Sequence, residues 1–217
     1  MSDYINRKKF PFKLLVEGKD DLFVTANIRD VHQVPDNFEI IDCEGVEKMP
    51  DQIIARIKLQ RPTIDIIGII LDADQDLLAR WNSLKGTLEK EGYEVPPSPD
   101  VNGTVITGVE RNPNIGIWLM PDNATEPGML ENFVELLIPD NDDLHPKVLQ
   151  ILSKIESEDL NRYALIHHKK ALIHTWLAWQ EEPGKPMGTA IAATYLDHNS
   201  ELCLRFVNWL NRLFNVQ

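Results

Sequence analysis

The stretch IDIIGIILDADQD, residues 64–76, decides the fold. A strand with one wet face alternates apolar and polar residues, and the run from Ile66 to Leu71 does not. So continuous a run belongs to a parallel strand buried on both faces. The apolar run then gives way to Asp72, Asp74 and Asp76, so charge begins where the strand ends.

A parallel strand needs partners reached by crossover helices, and the flanking sequence has that rhythm. FKLLVEG (12–18) reads as the first strand. KDDLFVTANIRDVHQ (19–33) follows as a helix with Leu22, Phe23, Ala26 and Ile28 at helical spacing, closed by Pro35. FEIIDCEG (38–45) is the second strand, and MPDQIIARIKLQRP (49–62) is a helix with Ile53, Ile54 and Ile57 on its apolar side. Beyond residue 76, LLARWNSLKGTLEKEG (77–92) is a helix stopped by Gly92. YEVPPSPDVNGTVITGVERNPN (93–114) is richer in prolines and turn formers, and reads as a loop carrying a short hairpin strand, GTVITGV. NIGIWLMPDN (114–123) is the next core strand. Thr125 is placed to cap a following helix, GMLENFVELLI, with Pro127 near its first turn. From Pro139 the pattern is helical throughout: 147–159, 162–180, 188–197 and 202–214. The expectation is an α/β fold, a parallel sheet flanked by helices over residues 11–140, with a helical extension over 141–217 packed on it.

Composition narrows the function. The chain has 217 residues and a formal charge of −12, which argues against coating nucleic acid by bulk electrostatics. It is compatible with an acidic site whose charge bound cations neutralise. Two cysteines, Cys43 and Cys203, are too few for a disulfide framework, so a reducing cytoplasm is expected. Neither a signal peptide nor a membrane span is expected from the apolar runs. Basic residues gather at Arg7, Lys8, Lys9 and Lys13 and again at His167, His168, Lys169 and Lys170. The histidines His167, His168 and His174 lack the spacing of a helical zinc pair. Aromatic residues of the tail, among them Trp176, Trp179, Phe206, Trp209 and Phe214, have the spacing of a core stripe or dimer face, with base stacking as the alternative.

In an open parallel sheet, ligands bind beyond the carboxyl ends of the strands. Acids fall there three times: Glu17 after the first strand, Asp72 to Asp76 after the third, and Asp122 after the later one. Asp21 lies one helical turn past Glu17, and Glu131 sits early in the helix after Asp122. Each has an ordinary explanation alone. Asp20 and Asp21 suit a helix start, Glu17 can pair with Lys19, and the aspartates can be a solvated loop. Together at one sheet edge they suit a hard divalent cation such as Mg²⁺ or Mn²⁺.

V-E-G-K-D-D (16–21) and L-D-A-D-Q-D (71–76) resemble the two signature motifs of the Toprim fold. Topoisomerases, bacterial primases, 5S-rRNA-maturing ribonucleases, recombination proteins and OLD-type nucleases share that fold. The first motif is especially similar to that of the small ribonucleases, and the resemblance covers about residues 11–140. W-L-M-P-D-N (118–123), G-M-L-E-N-F (128–133) and the helical tail look like a prokaryotic family of stand-alone Toprim-related proteins of uncharacterised role. The resemblance implies catalytic roles for Glu17, as acid/base or ligand, and for Asp72 and Asp74. It implies metal ligation by Glu17, Asp21, Asp72 and Asp74, with Asp76 auxiliary, and leaves Asp122 and Glu131 as further acids. OLD-type nucleases also use a lysine near the site, for which Lys169 and Lys170 are the candidate phosphate contacts here. The implied activity is a Mg²⁺-dependent (or Mn²⁺-dependent) phosphodiesterase, a nuclease acting on DNA or RNA. The alternative is a non-catalytic Toprim-like module that binds metal or a partner protein, in a phage-defence setting, as a homodimer or with another chain.

Overall fold

The computed structural model describes residues 10, 12–59, 66–110 and 112–215. Five strands form one sheet: β1 (Phe12–Val16), β2 (Phe38–Asp42), β3 (Ile66–Asp72), β4 (Thr104–Ile106) and β5 (Asn114–Met120). Their spatial order is β2-β1-β3-β5-β4, with β4 antiparallel to β5 and every other pairing parallel. The apolar run of β3 is therefore central, flanked by β1 and β5. Successive side chains alternate between faces. Ile66 and Ile70 enter one core with Leu14, Val16, Trp118 and Met120. Ile67, Ile69 and Leu71 enter a second core with Leu15, Ile115, Ile117 and Leu119. This is why β3 carries no polar residue before Asp72.

The second core is closed by α2 (Met49–Leu59) and α3 (Leu77–Lys90), through Met49, Ile53, Ile57, Trp81, Leu84 and Leu88. The first is closed by α1 (Lys19–Val31), α4 (Leu130–Glu135), α5 (His145–Ser157), α6 (His168–Ala178), α7 (Met187–Ala192) and α8 (Glu201–Phe214). The helices after Pro139 thus share one apolar cluster with the sheet. On α8, Leu202, Phe206, Trp209, Leu210 and Leu213 are all buried. Register partners Gly68 and Gly116 form a shallow notch under this helix. A Cβ at Gly116 would lie 2.2 Å from Leu213 Cδ2, and one at Gly68 3.1 Å from Phe214. Trp118, Phe206, Trp209 and Phe133 interlock with ring centroids 5.1–5.8 Å apart. Trp176, Trp209, Phe206 and Phe214 are fully buried core residues, while Trp179 is exposed.

Several boundaries differ from expectation: the helix expected over 188–197 is Met187–Ala192, the strand GTVITGV is Thr104–Ile106, and two others have a visible cause. Thr125 does not cap a helix: its N–H and hydroxyl both donate to Asp122, and α4 begins only at Leu130. Gly128 is held extended by a reciprocal backbone pair with Asp74, so no helix can pass through it. The expected helix from 162 begins at His168, after a 3-10 turn at Leu165–His167. Glu156 accepts from the Tyr163 hydroxyl and bonds His168 Nδ1, both at 2.7 Å, tethering that connection to α5. No helix among the described residues is long and apolar enough to cross a membrane.

Candidate functional site

The chain leaves β1 toward β2 on one side and leaves β3 toward β5 on the other, so the sheet reverses winding between β1 and β3. A crevice opens at the carboxyl ends of strands at such a point. Glu17 follows β1 directly and Asp72 is the last residue of β3, which brings both to that crevice. It is a cleft of about 590 Å³ whose walls include Glu17, Asp21, Asp72 and Glu131. Asp42 and Glu44 line the β2 side, and Lys19 and Lys170 are the cations that reach it.

Each inner carboxylate leans on one backbone N–H. Glu17 Oε2 lies 3.5 Å from the amide of Asp72, Asp72 Oδ1 accepts from Leu130 at 3.0 Å, and Asp21 Oδ2 accepts from Gly18 at 3.1 Å. Asp21 is only 7 % exposed, and its other oxygen, Oδ1, is buried with no hydrogen-bond partner. Leaving a carboxylate oxygen dry and unpaired is costly, so its neutral form is favoured. Burial, then the charge of Glu17, pushes Asp21 up to about 7. Burial, followed by Asp21, Glu17, Glu131 and Asp74, pushes Asp72 up to about 9. Glu17 is also raised, chiefly by burial, with Asp74 and Glu131 adding and the Asp72 amide and Arg80 opposing. These groups share one excess of negative charge. As they stand, no three His, Cys, Asp or Glu side chains among the described residues converge closely enough to hold an ion. Binding one would require these carboxylates to draw closer together. The unpaired Asp21 oxygen and the oxygen-only donor set suit a hard divalent cation.

The other expected acids, Asp74, Asp76 and Asp122, do not line this cleft. Asp74 has a left-handed backbone, φ 56°, and its Oδ2 accepts from Arg80 Nη2. Asp76 is the N-cap of α3, accepting from the Ala79 amide at 2.7 Å, so its carboxylate serves the helix. Asp122 accepts from the amides of Ala124 and Thr125 and organises the loop after β5. The two lysines separate. Lys169 donates to Glu135 at 2.6 Å, a carboxylate also bonded to His145, and lines a different cleft of about 490 Å³. Lys170 lines the acidic cleft, 3.8 Å from the buried Glu131. Arg7, Lys8 and Lys9 lie outside the described residues. Sequence reading missed Asp42, which closes β2 as Asp72 closes β3, and Arg80, whose partner Asp74 lies in the preceding loop.

No curated protein and no solved structure matches the chain. A family model described as a protein of unknown function, DUF3226, matches residues 11–215, nearly the whole length, and the chain belongs to that family.

Proposed function

We propose that the protein is a Mg²⁺- or Mn²⁺-dependent phosphodiesterase of the Toprim type, a nuclease acting on DNA or RNA. The observation that carries this reading is the buried, unpartnered Asp21 Oδ1 beside Glu17, Asp72 and Glu131 at the switch point of the sheet. Glu17, Asp21 and Asp72 are the residues that would hold the ion. A bound divalent ion supplies charge neutralisation at a scissile phosphate and lowers the pKa of a bound water. Glu17, with its carboxyl raised by burial, is suited to accept and return a proton at its Oε2. Lys170, at the cleft wall, is placed to meet a phosphate oxygen, and Glu131 steers its ammonium until substrate arrives. An anionic polymer would approach this acidic chain through the ion and Lys170, not through a basic surface.

One observation favours a second reading, a module that binds an ion or a partner without cleaving. Asp74, an expected catalytic acid, and Lys169, an expected phosphate contact, are committed to Arg80 and Glu135. Incubation of the purified chain with labelled plasmid, single-stranded DNA and RNA, with Mg²⁺, Mn²⁺ or chelator, separates the two. The nuclease reading expects cleavage that needs the metal and disappears in Asp72→Asn. Cleavage equal in that variant assigns activity elsewhere, and none on any substrate leaves the binding module.

A further inference from the structure

Asp74 is one of the alternating aspartates, yet its carboxylate is occupied and its backbone is clamped. Arg80, one turn into α3, donates to it from Nη2. The Asp74 N–H donates to the Gly128 carbonyl and the Asp74 carbonyl accepts from the Gly128 N–H, both at 2.8 Å. Gly128 has no slack, since a Cβ there would meet the Met120 carbonyl at 2.4 Å and Ala73 Cβ at 2.8 Å. The side chain of Asp74 therefore starts from a fixed point outside the cleft. The ion pair is nevertheless adjacent, because Asp74 follows two residues after Asp72, which lines the cleft.

We propose that Arg80 is the resident cation of the Asp74 side of the site, so that the cleft takes one divalent ion, among Glu17, Asp21 and Asp72, and not two. This rests on the metal-binding reading above and fixes its stoichiometry. The Arg80 guanidinium is held by geometry on Asp74, the aspartate a second ion would need. Asp21, whose Oδ1 is left without a partner, lines the cleft itself, where among the described residues Lys19 and Lys170 bring the positive charge.

Calorimetric titration of the full chain with Mn²⁺, paired with electron paramagnetic resonance of free Mn²⁺, counts bound ions without substrate. One Mn²⁺ per chain is expected. Asp72→Asn weakens it by more than the ~10-fold that losing a supporting bond costs at a metal site. Arg80→Gln, which frees Asp74, gains a second ion. Circular dichroism melts establish that each variant is folded, and Arg80→Lys, which keeps the charge, retains a count of one. Two ions in the wild type, or one in a folded Arg80→Gln, overturns the role of Arg80 while leaving the metal reading intact. No bound Mn²⁺ in the wild type overturns the metal reading itself, and this inference with it.

Discussion

Asp72 carries the largest electrostatic burden of any residue in the cleft, and it sets a pH dependence with a definite sign. The carboxyls of Asp72 and Asp21 titrate at about 9 and about 7 in the folded chain, well above the ~3.9 of an unfolded aspartate. Between those values the folded state holds protons that the unfolded state has lost, so the contribution of these two groups to stability is full below ~pH 4 and is lost as pH rises through the folded values. The metal-free protein is therefore expected to melt lower at pH 8 than at pH 5. Asp72→Asn, whose amide oxygen can still accept from Leu130, should raise the metal-free melting temperature at pH 8. The expected rise is ~3 °C or more, the effect of ~1 kcal/mol in a protein of this size. A melting temperature that climbs from pH 5 to pH 8 and drops in Asp72→Asn contradicts this. The two lysines make a second test. Lys170→Ala should raise KM for any cleaved polymer while leaving the fold intact. Lys169→Ala should leave KM alone and cost ~1–3 kcal/mol by removing a donor from the mostly buried Glu135. Equal kinetic effects would show that the cleft does not distinguish them. Glu17 and Asp72 were legible because a strand's carboxyl end is readable from where its apolar run stops. The fates of Asp74 and Asp76 were not. Alternate spacing implies one face only while the backbone stays extended, and at Asp74 it turns left-handed. Neighbouring lysines near a helix start differ by about 100° of rotation, and the packing of α6 on α4 and α5 selects between them.

At the scale of elements, strands and long helices followed from periodicity, and the errors cluster where a side chain from elsewhere intervenes. Thr125 has the right chemistry for a cap, but Asp122 binds it first and the Asp74–Gly128 bridge holds the chain extended. That bridge joins segments 54 positions apart, a pairing local pattern cannot register. The expected helix from residue 162 is helical in composition, yet Glu156 tethers its beginning to α5. The seat of α8 on the sheet offers a quantitative test. Gly116→Ala places a methyl against Leu213 and should cost ~1–3 kcal/mol by overpacking. Adding Leu213→Ala should recover part of that loss, because the cavity and the methyl share one space. Denaturant melts that show the two costs simply adding would place α8 away from the glycine notch.

For the molecule as a whole, the helices after Pro139 complete the core that the sheet begins. Trp118, Phe133 and Ile70 lie in one cluster with Trp176, Phe206, Trp209 and Phe214. A chain ending at Asn141 would expose that face, and it is expected to aggregate or to lack a cooperative melt. A soluble truncation with a sharp transition contradicts the shared core. The same helices bring Lys170 to the acidic cleft, so the extension builds part of the cleft wall as well as of the core. The expected parallel sheet with helices on both faces is the architecture found. The sharing of one core between sheet and tail depended on which face each amphipathic stripe meets, which periodicity alone leaves open. Anomalous diffraction from crystals grown with saturating Mn²⁺ tests the proposed divalent-cation site of Glu17, Asp21 and Asp72 at the switch point of the sheet. A peak is expected in the cleft with oxygens of these three carboxylates at ~2.0–2.6 Å; a cleft without an anomalous peak under those conditions contradicts the proposed site.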